Sequence, residues 1–236
     1  MPRVLAINAS GRDQGTTSQL TARALEGAAS QGAATEMVML KDLEVRFCRN
    51  CLACYQERGP GIAPCVQKDD VAGVLAKIGR ADGVIWASPV HSGFVSGLMT
   101  TFLERASFTM CQPTGELLGL GGVPVPRLTD KARVSATLVS AGMVPPEMRQ
   151  YCDQGTPWLK EMAAMICNGP VAADMYAAAF FPRPLSMEEQ RRAFLLRQLT
   201  PAQFQEAFDL GVKVVKAMED GPQPYRLDPA LLGITG

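Results

Sequence analysis

Four cysteines stand within eighteen residues, spaced Cys48-x2-Cys51-x2-Cys54-x10-Cys65. Three thiols at two-residue gaps can face one centre from a tight loop, and Cys65 closes the set across the segment Tyr55 to Pro64. Thiolates in such a set ligate a [4Fe–4S] cluster or zinc. The short gaps favour a cubane over zinc, which more often uses two separated pairs. A loop that holds no metal is the third reading. Of the other cysteines, Cys152 and Cys167 read as small core residues or bystanders. Cys111 reads the same way, with a second possibility as an alternative ligand.

Two further stretches carry chemistry. Ala9-Ser-Gly-Arg-Asp-Gln-Gly-Thr-Thr-Ser-Gln-Leu20 places a hydroxyl- and Gly-rich loop between a strand and a helix. A helix N-terminus offers free N–H groups and partial positive charge, which suits a phosphate. Ser10, Thr16, Thr17 and Ser18 add hydroxyls, and Arg12 adds charge. GxGxxG is absent, and no Lys follows the Gly as a P-loop requires. Hydroxyls with one Arg suit a monophosphate better than a triphosphate with magnesium. The competing reading is a plain N-cap. The second stretch is Ser88-Pro-Val-His-Ser-Gly-Phe-Val-Ser-Gly97, where Gly93 permits close backbone approach to a flat ligand. His91, the single histidine of the chain, is read there as a ligand contact, not as a general base.

The chain that positions these residues has 236 residues, near the upper range for one α/β domain. Lys plus Arg is 23 and Asp plus Glu is 23. A zero net charge argues against nucleic acid or an acidic membrane as partner. Hydrophobic residues make up 47% and charged residues 19%, which excludes a disordered chain. No apolar run approaches the roughly 20 residues that span a bilayer. Met1 to Ala9 has no run long enough for a secretory signal. The expected location is therefore cytoplasmic, where thiols stay free.

Short β-branched runs alternate with helical stretches. Strands are expected over Arg3–Asn8, Thr35–Leu40, Asp82–Ser88 and Ala132–Ser140, with a fifth inside Val171–Phe180. Helices are expected over Thr17–Ser30 (Leu20, Ala24 and Ala28 on one face), from a cap at Asp69 or Asp70 to about Ile78, Ser96 to about Phe108, Trp158–Cys167, and Ala202–Met218 after Thr200 and Pro201. The Gly- and Pro-rich segment Thr109–Asp130 is expected to be a mobile or interface loop. Trp86 should be buried, and Arg191-Arg192 should lie on a solvated face. Five strands alternating with helices predict a doubly wound parallel sheet with helices on both faces. Ligands should then sit after strands one, three and four. No linker divides the chain, so one domain is expected over 1–236, with a Cys-rich loop at 48–65 and an elaboration over about 182–236.

Ser-Gly-Arg-x-x-Gly-Thr-Thr-Ser together with Ser-Pro-Val-His-x-Gly-x-Val-Ser-Gly resembles the flavodoxin-like NADPH-dependent FMN reductases. Phe102-Leu-Glu-Arg105 is similar to the helix ending of that group. The Cys-rich loop before Lys68-Asp-Asp70 resembles the iron–sulfur flavoproteins. The resemblance covers Arg3 to Gly142 well and the C-terminal third in outline. It implies a flavodoxin-like FMN-dependent oxidoreductase, with Ser10, Arg12, Thr16, Thr17 and Ser18 on the FMN phosphate. Pro89, Val90, His91, Ser92 and Gly93 would line the isoalloxazine, and Ser140, Ala141 and Gly142 would close its other side. Cys48, Cys51, Cys54 and Cys65 would hold a [4Fe–4S] cluster, NAD(P)H would be the donor, and a protein or small molecule the acceptor. A homodimer or homotetramer is implied. This sequence has His91 where relatives often carry an aromatic residue, and Thr101 where they often carry Lys. The alternatives are an NAD(P)H-dependent FMN or quinone reductase without a metal centre, and a non-enzymatic flavodoxin-like carrier with structural zinc.

Overall fold

The computed structural model describes residues 1–117, 119–181, 183–192 and 197–227. Five parallel strands form the central sheet: β1 (Arg3–Asn8), β2 (Ala34–Met39), β3 (Gly83–His91), β7 (Val134–Gly142) and β8 (Val171–Ala179), in the order β2-β1-β3-β7-β8. The order reverses direction between β1 and β3, which opens a crevice at their carboxyl ends. β3 is buried from Gly83 to Ser88 and β7 from Val134 to Ala141, as strands covered on both faces should be.

Helix α1 (Thr16–Ser30) and helix α5 (Pro201–Glu219) cover one face. Leu20, Ala24 and Ala28 pack there with Ala207, Leu210 and Val214 against Val4, Ala6 and Ile85. The two helices meet backbone to backbone. A Cβ on Gly27 would fall 1.9 Å from the Phe208 carbonyl oxygen, and one on Gly211 would fall 1.8 Å from that of Ala24. Helices α2 (Val71–Arg80), α3 (Gly97–Met110) and α4 (Gly155–Cys167) cover the other face. There Val74, Ile78, Phe102, Leu103, Leu159 and Ile166 bury Trp86 completely.

The expected elements are all present, most of them displaced by one to three residues. α4 starts earlier than expected: its cap is Gln154, with no side-chain cap bond, and the carboxylate of Asp153 just before it braces the first turn by accepting from the Thr156 amide (3.1 Å) and hydroxyl (2.6 Å). At α2 the Asp70 side chain makes no cap bond and instead accepts from the Glu44 amide at 2.7 Å. The segment Thr109–Asp130 departs from expectation. It is a β-hairpin, β5 (Cys111–Leu117) with β6 (Leu120–Pro126). Its strands stabilise each other by cross-strand pairing, which composition does not reveal. Arg191 and Arg192 are exposed, as expected. Within the elaboration, Met187–Gln190 forms one helical turn capped by Ser186. Residues 193–196, within the expected charged elaboration, and the tail from 228 lie outside the described residues.

Candidate cofactor site and cysteine cavity

The loop after β1 is built by its own polar side chains. Asn8, at the end of β1, accepts from the Ser10 amide at 2.8 Å and donates to Ser18 Oγ at 3.2 Å. The Ser10 and Ser18 hydroxyls both donate to the Arg12 carbonyl, at 3.0 and 2.8 Å. These two hydroxyls therefore shape the loop. The cap of α1 is Gly15, which has no side chain to bond the free amides of the helix start. The plain N-cap explanation of the hydroxyls is thus not what the structure adopts. The hydroxyls of Thr16 and Thr17 face the end of β7 instead, 3.2 and 2.7 Å from Ser140 Oγ. Residues 124 and 123 positions apart in sequence thus share one hydrogen-bonding cluster at the carboxyl ends of the strands.

The stretch after β3 is a tight hairpin. Val90 pairs with Val95 and His91 with Phe94 of the short strand β4 (Phe94–Val95). Ser92 and Gly93 turn it, with φ of 52° and 80°. Two left-handed residues match a primed hairpin turn, and glycine adopts that conformation at no steric cost. The Gly93 carbonyl accepts from the Gln154 amide at 2.8 Å. Pro89 and Val90 are half-buried, and His91 and Ser92 are exposed at the rim. Ser96 ties this hairpin to the first loop. Its amide donates to Ser88 Oγ at 2.9 Å, its hydroxyl donates to the Ala9 carbonyl at 3.1 Å, and it caps α3. Sequence reasoning missed Asn8, Ser88 and Ser96, whose roles are to fix the loops. At the third edge Ser140 and Ala141 are buried and Gly142 is exposed.

The four sulfurs form a second locus. Cys48, Cys51, Cys54 and Cys65 line one cavity with Glu104, Arg105 and Phe108 of α3. Two buried arginines hold the loop around it. Arg105 donates from Nη1 to the Arg46 carbonyl (2.9 Å) and to Asp69 Oδ2 (2.6 Å), and from Nη2 to Asp69 Oδ1 (3.1 Å) and Cys65 Sγ (3.3 Å). Arg127, at the foot of the hairpin, donates to the carbonyls of Cys54, Glu57 and Gly59 at 3.1, 2.6 and 3.0 Å. Arg127 at the foot of the hairpin therefore anchors the cysteine loop, and the segment expected to be a loop is paired β-structure. Between Cys51 and Cys54 the chain carries Leu52 at φ 58°, a conformation that costs a bulky residue about 1–2 kcal/mol. Burial pushes the Cys54 thiol up, and the nearby Cys65 and Cys48 add to the shift. Cys111 and Cys167 are core residues, whose thiols burial raises to about 12 and about 11. Cys111 does not line the cavity.

Among the described residues no three His, Cys, Asp or Glu side chains converge as ligands of one ion. A cubane spreads its thiolates around four corners, so it does not need that convergence. Donors point at the sulfurs: the Asn50 amide lies 3.4 Å from Cys48 Sγ, and Arg105 reaches Cys65. Arg105 Nε is buried and has no hydrogen-bond partner. Arg105 lines the same cavity as the four thiols, and a cation there suits an anionic occupant rich in acceptors. From the α3 cap at Ser96 to Arg105 is nine residues, about 14 Å of helix rise. The two loci thus lie at the start and in the second half of one helix. An open cleft bordered by Arg3, Glu36, Lys77 and Arg80 lies at the opposite end of the strands, away from the crevice where such sheets bind ligands.

The strand order and the hydroxyl loop at the switch point define a flavodoxin-like α/β protein. Residues 2–175 match the model of the NADPH-dependent FMN reductases, and the chain belongs to that family. It is 36% identical over 104 residues to an iron–sulfur flavoprotein of Methanocaldococcus jannaschii, covering 44% of this chain and 51% of that protein. It is 30% identical over 126 residues to an iron–sulfur flavoprotein of Methanosarcina thermophila, covering 51% of this chain and 63% of the relative. The chain spans about half the length of the curated relatives it matches. Among solved structures, an NAD(P)H:quinone oxidoreductase from Methanothermobacter marburgensis superposes with a TM-score of 0.61 at 14% identity, over 90% of this chain and 98% of the other. An FMN-dependent NADH-azoreductase from Bacillus anthracis in complex with FMN gives 0.56 at 15% identity, over 93% and 99%. No helix among the described residues is long and apolar enough to cross a membrane.

Proposed function

We propose that this protein is an FMN-dependent oxidoreductase of the iron–sulfur flavoprotein kind, taking electrons from NAD(P)H. The observation that carries the FMN half is the uncapped α1 N-terminus facing the Thr16, Thr17 and Ser140 hydroxyls. A dianionic phosphate fits free N–H groups, hydroxyls and Arg12. The hairpin residues Pro89 to Gly93 would flank one edge of the isoalloxazine and Ser140 to Gly142 the other. Ser10 and Ser18 hold the loop in shape for the phosphate. Cys48, Cys51, Cys54 and Cys65 would ligate a [4Fe–4S] cluster, supported by the Arg105 cation lining their cavity and the donors aimed at the sulfurs.

Bound at these places, FMN supplies hydride acceptance and single-electron release, and a cluster supplies one-electron steps. The chain's part is placement. Ser88 and Ser96 lock the loop after β1 to the hairpin after β3, so the pocket walls keep their spacing. Arg105 lends positive charge to the sulfur site, and Asp69 holds its guanidinium in place. No side chain at the flavin loops is assigned a proton-transfer role.

The whole chain is proposed as one domain working in the cytoplasm as a homo-oligomer. Exposed Met143, Tyr151 and Phe180 near the carboxyl ends of β7 and β8, with Phe47 and Leu52 on the cysteine loop, support a second copy as partner. The decisive experiment is an absorption spectrum of anaerobically purified protein, with iron, sulfide and flavin assayed on the same sample. About four irons and four sulfides per flavin are expected. Flavin without iron after attempted reconstitution would leave a metal-free NAD(P)H-dependent FMN or quinone reductase. Bound zinc with no turnover of any electron donor would leave a non-enzymatic flavodoxin-like carrier with a structural zinc.

A further inference from the structure

The elaboration after β8 lies beyond the residues that match the family model, and it carries a cation to the phosphate loop. A Cβ on Gly142 would fall 1.6 Å from Arg197 Nη1 and 2.9 Å from its Cζ. The guanidinium therefore lies against bare backbone at the end of β7. Two residues earlier is Ser140, whose hydroxyl meets Thr16 and Thr17 at the start of α1.

Arg197 is held there by regular structure on its C-terminal side. Gln198 bridges Phe180, its amide donating to the Phe180 carbonyl at 2.8 Å. Thr200 caps α5 through a reciprocal pair with Gln203, and Gln203 Nε2 donates to the Ala178 carbonyl at 2.8 Å. Gly211 and Gly27 then lock α5 onto α1. The half-buried guanidinium has no carboxylate partner among the described residues. The charged group that acts on it there is another cation, Arg12, and burial together with that like charge holds its pKa below the usual arginine range.

Two guanidinium groups brought together repel, and an anion lying between them attracts both and outweighs that repulsion. A phosphate monoester carries close to two negative charges near neutral pH. Its oxygens match the planar fork of Arg. We propose that Arg197 is a ligand of the flavin phosphate, clamping it from the side opposite Arg12, so that the C-terminal elaboration completes the cofactor site. Gly142 is part of the device, because a side chain there would displace the guanidinium. The inference rests on the FMN reading above and adds a residue that the family match does not reach.

The test compares FMN with riboflavin, which has the same ring and no phosphate. Both are titrated into flavin-stripped full-length protein by fluorescence quenching. Arg197→Gln should weaken FMN about tenfold to a hundredfold and leave riboflavin within about twofold. Arg197→Lys should recover part of the loss, since it keeps charge and loses the fork. Gly142→Ala should weaken FMN more than riboflavin with Arg197 still present, the smaller riboflavin loss reporting the place of Gly142 at the ring edge. Equal affinities in wild type and Arg197→Gln, or equal losses for both flavins, would overturn the proposal. So would an effect confined to the KM for NADPH relative to NADH, which would place the phosphate on the dinucleotide. A wild type that binds neither flavin would overturn the FMN reading itself, a result distinct from any effect of the variants.

Discussion

Replacing Asp69 with Asn removes the anion that Arg105 faces while keeping the volume. Both side chains are 1% exposed, and their closest approach is 2.6 Å. Asp69 also accepts from the amides of Arg46 and Val71, at 3.1 and 3.4 Å. Asn keeps one acceptor and turns an NH2 toward a cation. Removing one partner of a buried pair costs about 3–5 kcal/mol, because the other charge stays buried and unpaired. For a chain of this size about 1 kcal/mol moves Tm by about 2–4 °C, so a drop on the order of 6–20 °C is expected. Urea titration of the cofactor-free protein, followed by Trp86 and Trp158 fluorescence, would report the midpoint and the slope m together. The double variant Asp69→Leu with Arg105→Met should cost less than Asp69→Asn alone, because it leaves no orphan charge. A loss below about 1 kcal/mol at unchanged m would refute the idea that this pair holds the cysteine loop. The pH dependence has a definite sign. Burial raises the Asp69 carboxyl, but the hydrogen bonds from Arg105 and the Arg46 amide outweigh it and hold it below the usual carboxylate range. Its contribution is complete above the unfolded value near ~4 and is lost as pH falls through the folded value. Asp69→Asn should therefore flatten the acid limb of the stability curve.

Gly211→Ala puts a methyl 1.8 Å from the Ala24 carbonyl oxygen; a loss of about 1–3 kcal/mol or more is expected by urea unfolding, and no loss would mean that α1 and α5 can move apart freely. Gly93→Ala strains a φ of 80°, at about 1–2 kcal/mol, and should weaken riboflavin and FMN alike by calorimetry, because the hairpin faces the ring and not the phosphate. In native protein at pH 8, iodoacetamide should leave Cys111 and Cys167 unlabelled by peptide mass spectrometry, since burial lifts their thiols to about 12 and about 11. Labelling of either before unfolding would contradict their burial. Arg127→Gln removes the donor to three carbonyls of the cysteine loop, and should lower iron retention during gel filtration under air while flavin content holds.

Much of the architecture is legible in the chain order of residues. β3 and β7 read as apolar runs because both their faces are covered, and α1 shows its buried stripe at Leu20, Ala24 and Ala28. The phosphate-type loop reads from its hydroxyls and its place between β1 and α1. These signals are local: a strand or helix advertises its own period whatever it packs on. Tertiary structure alone decided the rest. The hairpin Cys111–Pro126 is Gly- and Pro-rich, and its strands exist through each other's pairing. Ser140 joins Thr16 and Thr17 across more than a hundred residues, since the order β2-β1-β3-β7-β8 brings the end of β7 beside the start of α1. Arg105, Asp69 and Cys65 meet because α3 crosses the cysteine loop, and Arg197 reaches Gly142 because α5 returns against α1. Periodicity encodes which face of an element is buried, whereas the partners of a buried charge depend on crossovers, and those are settled only when the layers pack.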